Sequence, residues 1–185
     1  MVRLKHWTQI ALTAMSLTLG GAAMAQDAGA PMAPVAPAHP IEGVWRTKLL
    51  SEVTIAPCPE GLCGYLSKIV VPSEGLTPEE LAAAQAMPVE EMFDFNNKDP
   101  QLRQRPMQGL QLVTLTHQSK PGIYDGSVYN PQDGNIYAGY IEMVSLDTIR
   151  LNGCVMFNVI CQGEDWLRVP AEELEARALE EAAAQ

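Results

Sequence analysis

Four cysteines, Cys58, Cys63, Cys154 and Cys161, have the most definite chemistry open to them in this chain. An even set of thiols reads as two disulfides in an oxidising compartment or as a thiolate metal site in a reducing one. Neither spacing is the short knuckle that zinc prefers, so bridges are the stronger expectation. Three pairings are open. Pro57, Pro59 and Gly61 set a tight turn that would bring Cys58 to Cys63, which favours the local bridges Cys58–Cys63 and Cys154–Cys161.

Arg103-Gln104-Arg105-Pro106, with Lys98 nearby, is the only concentrated positive charge in an acidic chain. Guanidinium forks match carboxylate and phosphate, so Arg103 and Arg105 form a candidate anion or partner loop. Asp94 and Asp99 are close enough in sequence to satisfy both arginines instead, and a salt-bridged structural loop is the better-supported reading. Tyr129, Tyr137 and Trp166 are candidate cavity-lining residues. Aromatics at alternating strand positions serve more often as core or cross-strand pairs. Trp45 and Arg168 make a further pair: a buried indole on a first strand and a guanidinium on a last strand would stack where a barrel closes. That pair is a plug, not a site.

Catalysis finds no constellation. Beyond the N-terminal leader only His39 and His117 remain. There is no Gly-x-Ser-x-Gly, no His-Glu-x-x-His and no phosphate-binding glycine loop. Carboxylates such as Asp125 and Asp133 cannot be paired from sequence, which leaves an acid hydrolase unmotivated. The methionines do not cluster with histidine, and core gap-filling is their ordinary use. The expectation is a non-enzyme with no catalytic residue, no metal and no cofactor.

The elements that must position these residues begin after an export signal. Residues 1–25 show a basic start at Arg3, Lys5 and His6, an apolar stretch, and Ala23-Met24-Ala25 as a signal-peptidase site, so cleavage is expected after Ala25 and the product in the periplasm. The apolar stretch is short for a bilayer span, which takes about 20 residues. Removing it takes Arg3 and Lys5 from the 12 basic residues and none of the 22 acids. That balance argues against nucleic acid and against anionic lipid surfaces.

Residues 26–40 are an Ala/Pro-rich lead that cannot bury a core. Residues 41–170 read as one mainly-β domain with strands expected at 43–47, 52–56, 63–71, 110–117, 123–130, 135–144, 148–156 and 165–169. Asn130-Pro131-Gln132-Asp133-Gly134 is the strongest turn. Thr77-Pro78-Glu79-Glu80 is a capping box that starts one short inserted helix. Residues 171–185 form an acidic helical tail whose few large apolar residues predict a solvated, fraying helix. Sequential short strands without a βαβ rhythm predict a single antiparallel β-barrel of about eight strands.

The motifs themselves resemble a family. Gly43-x-Trp45, Val53-x-Ile55-x-x-Cys58, Leu62-Cys63-Gly64, Asp94-x-x-Asn97 and Leu102-Arg103-x-Arg105-Pro106-x-x-Gly109-Leu110 are similar to the bacterial exported domain of unknown function family 2147. Gly126-x-Val128-Tyr129-Asn130-Pro131-x-Asp133-Gly134-x-x-Tyr137, Gly153-Cys154 and Trp166-x-Arg168 continue the match. The 72–92 stretch is longer and more helical than the family pattern, and Asn130 stands where an Asp is more usual. The resemblance implies a lipocalin-like barrel and no settled activity. Two functions are weighed: a barrel that binds a small apolar ligand or an envelope partner, and a filled structural or interaction barrel whose outer surface does the work. Oligomeric state is not fixed by the sequence.

Overall fold

The alternating pattern becomes a closed antiparallel barrel in the computed structural model, which describes residues 39–155 and 160–184. Its strands are β1 (Gly43–Arg46), β2 (Glu52–Cys58), β3 (Gly61–Lys68), β4 (Gln111–Lys120), β5 (Ile123–Asn130), β6 (Asn135–Met143), β7 (Thr148–Val155) and β8 (Ile160–Arg168). Each pairs with the next, and β8 returns to β1. Helix α1 (Pro78–Ala86) sits in the long β3–β4 connection, followed by single-turn 3-10 helices at Val89–Glu91 and Pro100–Leu102; α2 (Ala171–Ala183) follows β8. The signal peptide expected at 1–25, and the lead as far as residue 38, lie outside the described residues.

Local chemistry explains the elements. The Thr77 side chain accepts from the Glu80 N–H while Glu80 reaches back to the Thr77 N–H, completing the capping box that starts α1. At the β5–β6 turn, Asn130 Oδ1 accepts from Gln132 N and Asp133 Oδ1 from Asn135 N. Gly134 supplies the left-handed backbone, at φ +69°. One expectation needs correction and one an addition. First, β8 begins at Ile160 rather than near 165, because register with β7 (Cys154↔Cys161, Asn152↔Gly163) makes a strand of a Gln-Gly-Glu-Asp stretch lacking apolar alternation. Second, the C-terminal helix is solvated as expected, with none of its residues buried, but its first half is tied to the barrel. Arg177 Nη1 donates to Glu52 Oε2 at 2.9 Å, and Arg46 bonds both Glu52 and Glu173.

Inward-facing side chains differ sharply between the two ends. At the end where β1 meets β8, Trp45, Val53, Ile55, Val113, Ile141, Ile149 and Trp166 are all buried. The seam there consists of two pairs, Trp45↔Arg168 and Arg46↔Leu167, extended by a Val169 N–H to Val44 carbonyl bond. The Arg168 guanidinium lies 4.0 Å from the centre of the Trp45 ring. It donates to the carbonyls of Leu146 (2.7 Å), Glu42 (2.8 Å) and Pro40 (2.5 Å). Trp45 Nε1 in turn donates to Ile41 O at 2.8 Å. Gly43 is required here: at φ +129°, a Cβ would sit 2.7 Å from Arg168 Nη1.

Glu52, on the outer face of β2, is buried beneath α2 and ringed by Arg46, Arg177 and, at 3.8 Å, Lys68. Burial pushes its carboxyl up, but the hydrogen bonds from Arg46 and Arg177 outweigh it, and the group is held below its ordinary range. A lowered carboxylate contributes stability that is present above its unfolded pKa and lost as pH falls through the folded one. Glu52→Gln is therefore expected to cost about 2 kcal/mol near neutrality, the scale of a broken buried pair discounted for its half-exposed partners. In urea unfolding series the variant and the parent should converge as pH falls below about 4. A difference independent of pH would contradict the clamp.

Candidate functional site

Strand β1 is four residues long and β8 nine, so the seam that joins them covers only the lower part of β8. Above it, Ile160–Trp166 pairs with β7 on one edge and has no β1 partner on the other. Facing that edge is the β1–β2 turn, closed by Thr47 N–H to Ser51 O and Leu50 N–H to Thr47 O bonds. Leu50 holds the left-handed conformation at φ 68°, alone among the described non-glycine residues. Between turn and strand lies an open slot of about 830 Å³.

The slot combines apolar and polar groups. By register, Leu151, Gly153, Gln162 and Glu164 share the inward face with Trp166, and Lys48 faces them from the turn. The Trp166 indole N–H donates to Glu164 Oε1 at 2.5 Å, which fixes the carboxylate at the edge of the buried ring. On the outer rim Arg150 forks Asp165 at 2.6 and 3.0 Å, holding β7 to β8 without entering the interior. The glycines Gly126, Gly139 and Gly153 fall in one inward row across β5, β6 and β7. A Cβ at Gly126 or Gly139 would strike the backbone oxygens of Thr114 or Asn152, so these two are demanded by the bend of the sheet. At Gly153 a Cβ would meet only Tyr137 Cβ at 4.0 Å, and its absence widens the interior.

A second constellation is buried on the outside. Asp94, 1 % exposed, accepts from the Tyr129 hydroxyl (2.6 and 2.7 Å), from Asn97 Nδ2 (2.8 Å) and from Arg105 Nε (2.9 Å). The Arg105 guanidinium carbon is 4.9 Å from the Tyr129 ring centre. Burial, with Asp94 beside it, pushes the Tyr129 hydroxyl up and keeps it a donor. These bonds clamp segment 94–105 to the barrel wall. Gly134 completes the clamp, since a Cβ there would lie 1.9 Å from Asn96 O.

The residues singled out from sequence are placed as follows. Cys58–Cys63 and Cys154–Cys161 are bridged, which removes thiolate ligation. Trp45 and Arg168 are stacked. Arg105 pairs with Asp94, but Arg103 does not take an aspartate: its Nε donates to the Asn97 carbonyl at 2.8 Å, and Asp99 caps the Pro100–Leu102 turn by accepting from Gln101 N. Trp166 and Tyr137 face inward, Tyr137 at the rim with its hydroxyl on Asp133 at 2.6 Å. Tyr129 does not line the interior. It sits one position out of phase with Val128, on the outer face beneath the clamp. Asp125 is mid-strand and Asp133 in the turn beyond Asn130, so the register separates the two acids. Lys48, Leu151, Gln162 and Glu164 were not legible as a site, because no motif marks where one strand outruns its neighbour.

A family model described as an uncharacterized protein conserved in bacteria (DUF2147) matches residues 43–168. Among solved structures, the chain is similar to a Helicobacter pylori protein, HP1028, described as belonging to the lipocalin family. The two share 18% identity at a TM-score of 0.56, with 73% of this chain and 86% of that one covered. No curated protein matches.

The clamp is tested by Tyr129→Phe, which removes the hydroxyl that bonds Asp94 and leaves the slot untouched. The expected loss is about 2 kcal/mol, the cost of under-satisfying a buried carboxylate. Denaturant unfolding should report it, and limited proteolysis should cut first within 94–105. Unchanged stability would show that Asp94 does not depend on this bond.

Proposed function

Since the chain belongs to the bacterial family of uncharacterized proteins DUF2147 and folds as a lipocalin-like barrel, we propose that it is an exported, non-enzymatic binding protein whose ligand occupies the slot between the β1–β2 turn and β8. One observation carries this reading: inward positions are filled and buried around Trp45, Val53, Ile149 and Trp166, yet Leu151, Gln162 and Glu164 on the same inward face stay accessible beside an open volume of about 830 Å³. An eight-stranded barrel has room for one small ligand or for its own side chains. Here the lower half takes the second option and leaves the first to the upper half.

The lining defines the ligand class. Leu151, Gly153 and Gly163 suit an apolar body, and Lys48, Arg150, Asn152, Gln162, Glu164 and Asp165 suit one polar head. A small amphipathic molecule fits this better than a wholly apolar one. Two disulfides and the export signal read in the sequence support action in the periplasm. A second reading has its own observation: the edge of β8 from Ile160 to Trp166 lacks a β1 partner, so an extended segment of an envelope protein could add a strand there.

Native mass spectrometry of the protein purified from its own periplasm tests the proposal. A retained small-molecule mass is expected in the parent and absent from Leu151→Arg, which places a charge in the slot without touching the seam. If the parent carries no adduct, and Leu151→Arg behaves as the parent in every extract, the ligand reading fails. Cross-links from β8 to another envelope protein would then favour strand addition.

A further inference from the structure

On the opposite wall from the slot, a cleft of about 520 Å³ lies against the outer face of β4, β5 and β6, under the clamped segment 94–105. We propose that it is a second binding site, for a small organic carboxylate with an apolar body.

Arg105 is the anchor. A guanidinium carries five N–H groups, and Asp94 takes the one on Nε. The side chain is about a third exposed and lines the cleft, with its plane fixed by Asp94 on one side and the Tyr129 ring beneath. Such a fork is organised before any ligand arrives, and it matches the two oxygens of a carboxylate. Hydroxyls stand nearby. Thr114 Oγ1 accepts from Gln111 Nε2 at 2.8 Å, which leaves its own proton to donate, and Ser127 also opens onto the cleft. Lys98 adds an exposed cation at the rim.

The acids around the cleft decide between anions. Asp94 answers the Arg105 charge. Asp99 is committed to Gln101 N, and Asp133 to Tyr137 and Asn135, with Lys98 close enough to lower its pKa further. Recognition therefore rests on aimed N–H and O–H donors, not on net positive charge. A monoanion suits that balance, whereas a phosphate dianion would meet three fixed carboxylates. The remaining lining, Leu102, Leu112 and Ile136, is apolar, and Ile136 is 72% exposed although it lies on a strand. An apolar body placed on Ile136 would cover it.

Titration with sodium hexanoate, followed through the Arg105 Nε–H resonance and the Ser127 and Ile136 amides in 1H–15N spectra, tests the site. Saturable shifts at all three are expected, with no such response to 1-hexanol and a weaker one to methyl phosphate. Ile136→Glu, which leaves the Asp94 clamp intact, should weaken hexanoate about tenfold, the scale of a charge-assisted contact turned repulsive. Lys98→Gln should weaken it less, and the slot variant Leu151→Arg should leave it unchanged. The proposal is overturned if hexanoate gives no saturable shift, if 1-hexanol binds equally, if methyl phosphate binds more tightly, or if Ile136→Glu has no effect.

Discussion

A sheet can close into a barrel only if its first and last strands meet, and here they meet across two residue pairs. The short seam is made sufficient by one guanidinium. Arg168 lies over the Trp45 indole and ties three carbonyls, Pro40 and Glu42 before β1 and Leu146 between β6 and β7, so that two separate stretches of chain are joined. Removing water from a guanidinium is costly unless its donors find partners, and these carbonyls supply them. A partly buried cation on an aromatic face adds about 1 kcal/mol. The requirement for Gly43 follows from the same geometry, because the arginine occupies the space its side chain would take. A longer seam would have paired the rest of β8 and left no slot.

The two ends of the barrel then divide the work. Where the seam holds, the interior is solid; where it stops, the inward face of β7 and β8 is left accessible. Two buried carboxylates stand outside this core and serve as clamps. Glu52 fixes α2 along β1 and β2, and Asp94 fixes segment 94–105 against β5. Each is surrounded by donors, so neither is a stranded charge. Rigidity on the outer wall is what gives the Arg105 fork a defined direction.

Much of this was legible in residue types and spacing. The Trp45–Arg168 pair, the local bridging of the cysteines, the capping box at Thr77 and the reversal at 130–135 are short-range or chemically distinctive, and the fold places them as read. Other features depend on partners that one segment does not contain. The Gln162-to-Asp165 stretch becomes strand only because β7 supplies its hydrogen bonds. Glu52 reads as a solvent-facing residue until α2 arrives with Arg177. Val128 and Tyr129 are both large and apolar, so alternation alone could not say which faces the core; the clamp around Asp94 decides it. The slot was hidden for a related reason, since it arises from the difference in length between β1 and β8.

The barrel is closed at one end of β8 and open along the rest of it. Residue-resolved amide hydrogen exchange measures this directly. The Arg168 and Val169 amides are expected to exchange only on global unfolding, while those amides of residues 160–166 that point away from β7 exchange orders of magnitude faster. Uniform slow exchange along the whole of β8 would mean that its free edge is paired, and the slot would not exist.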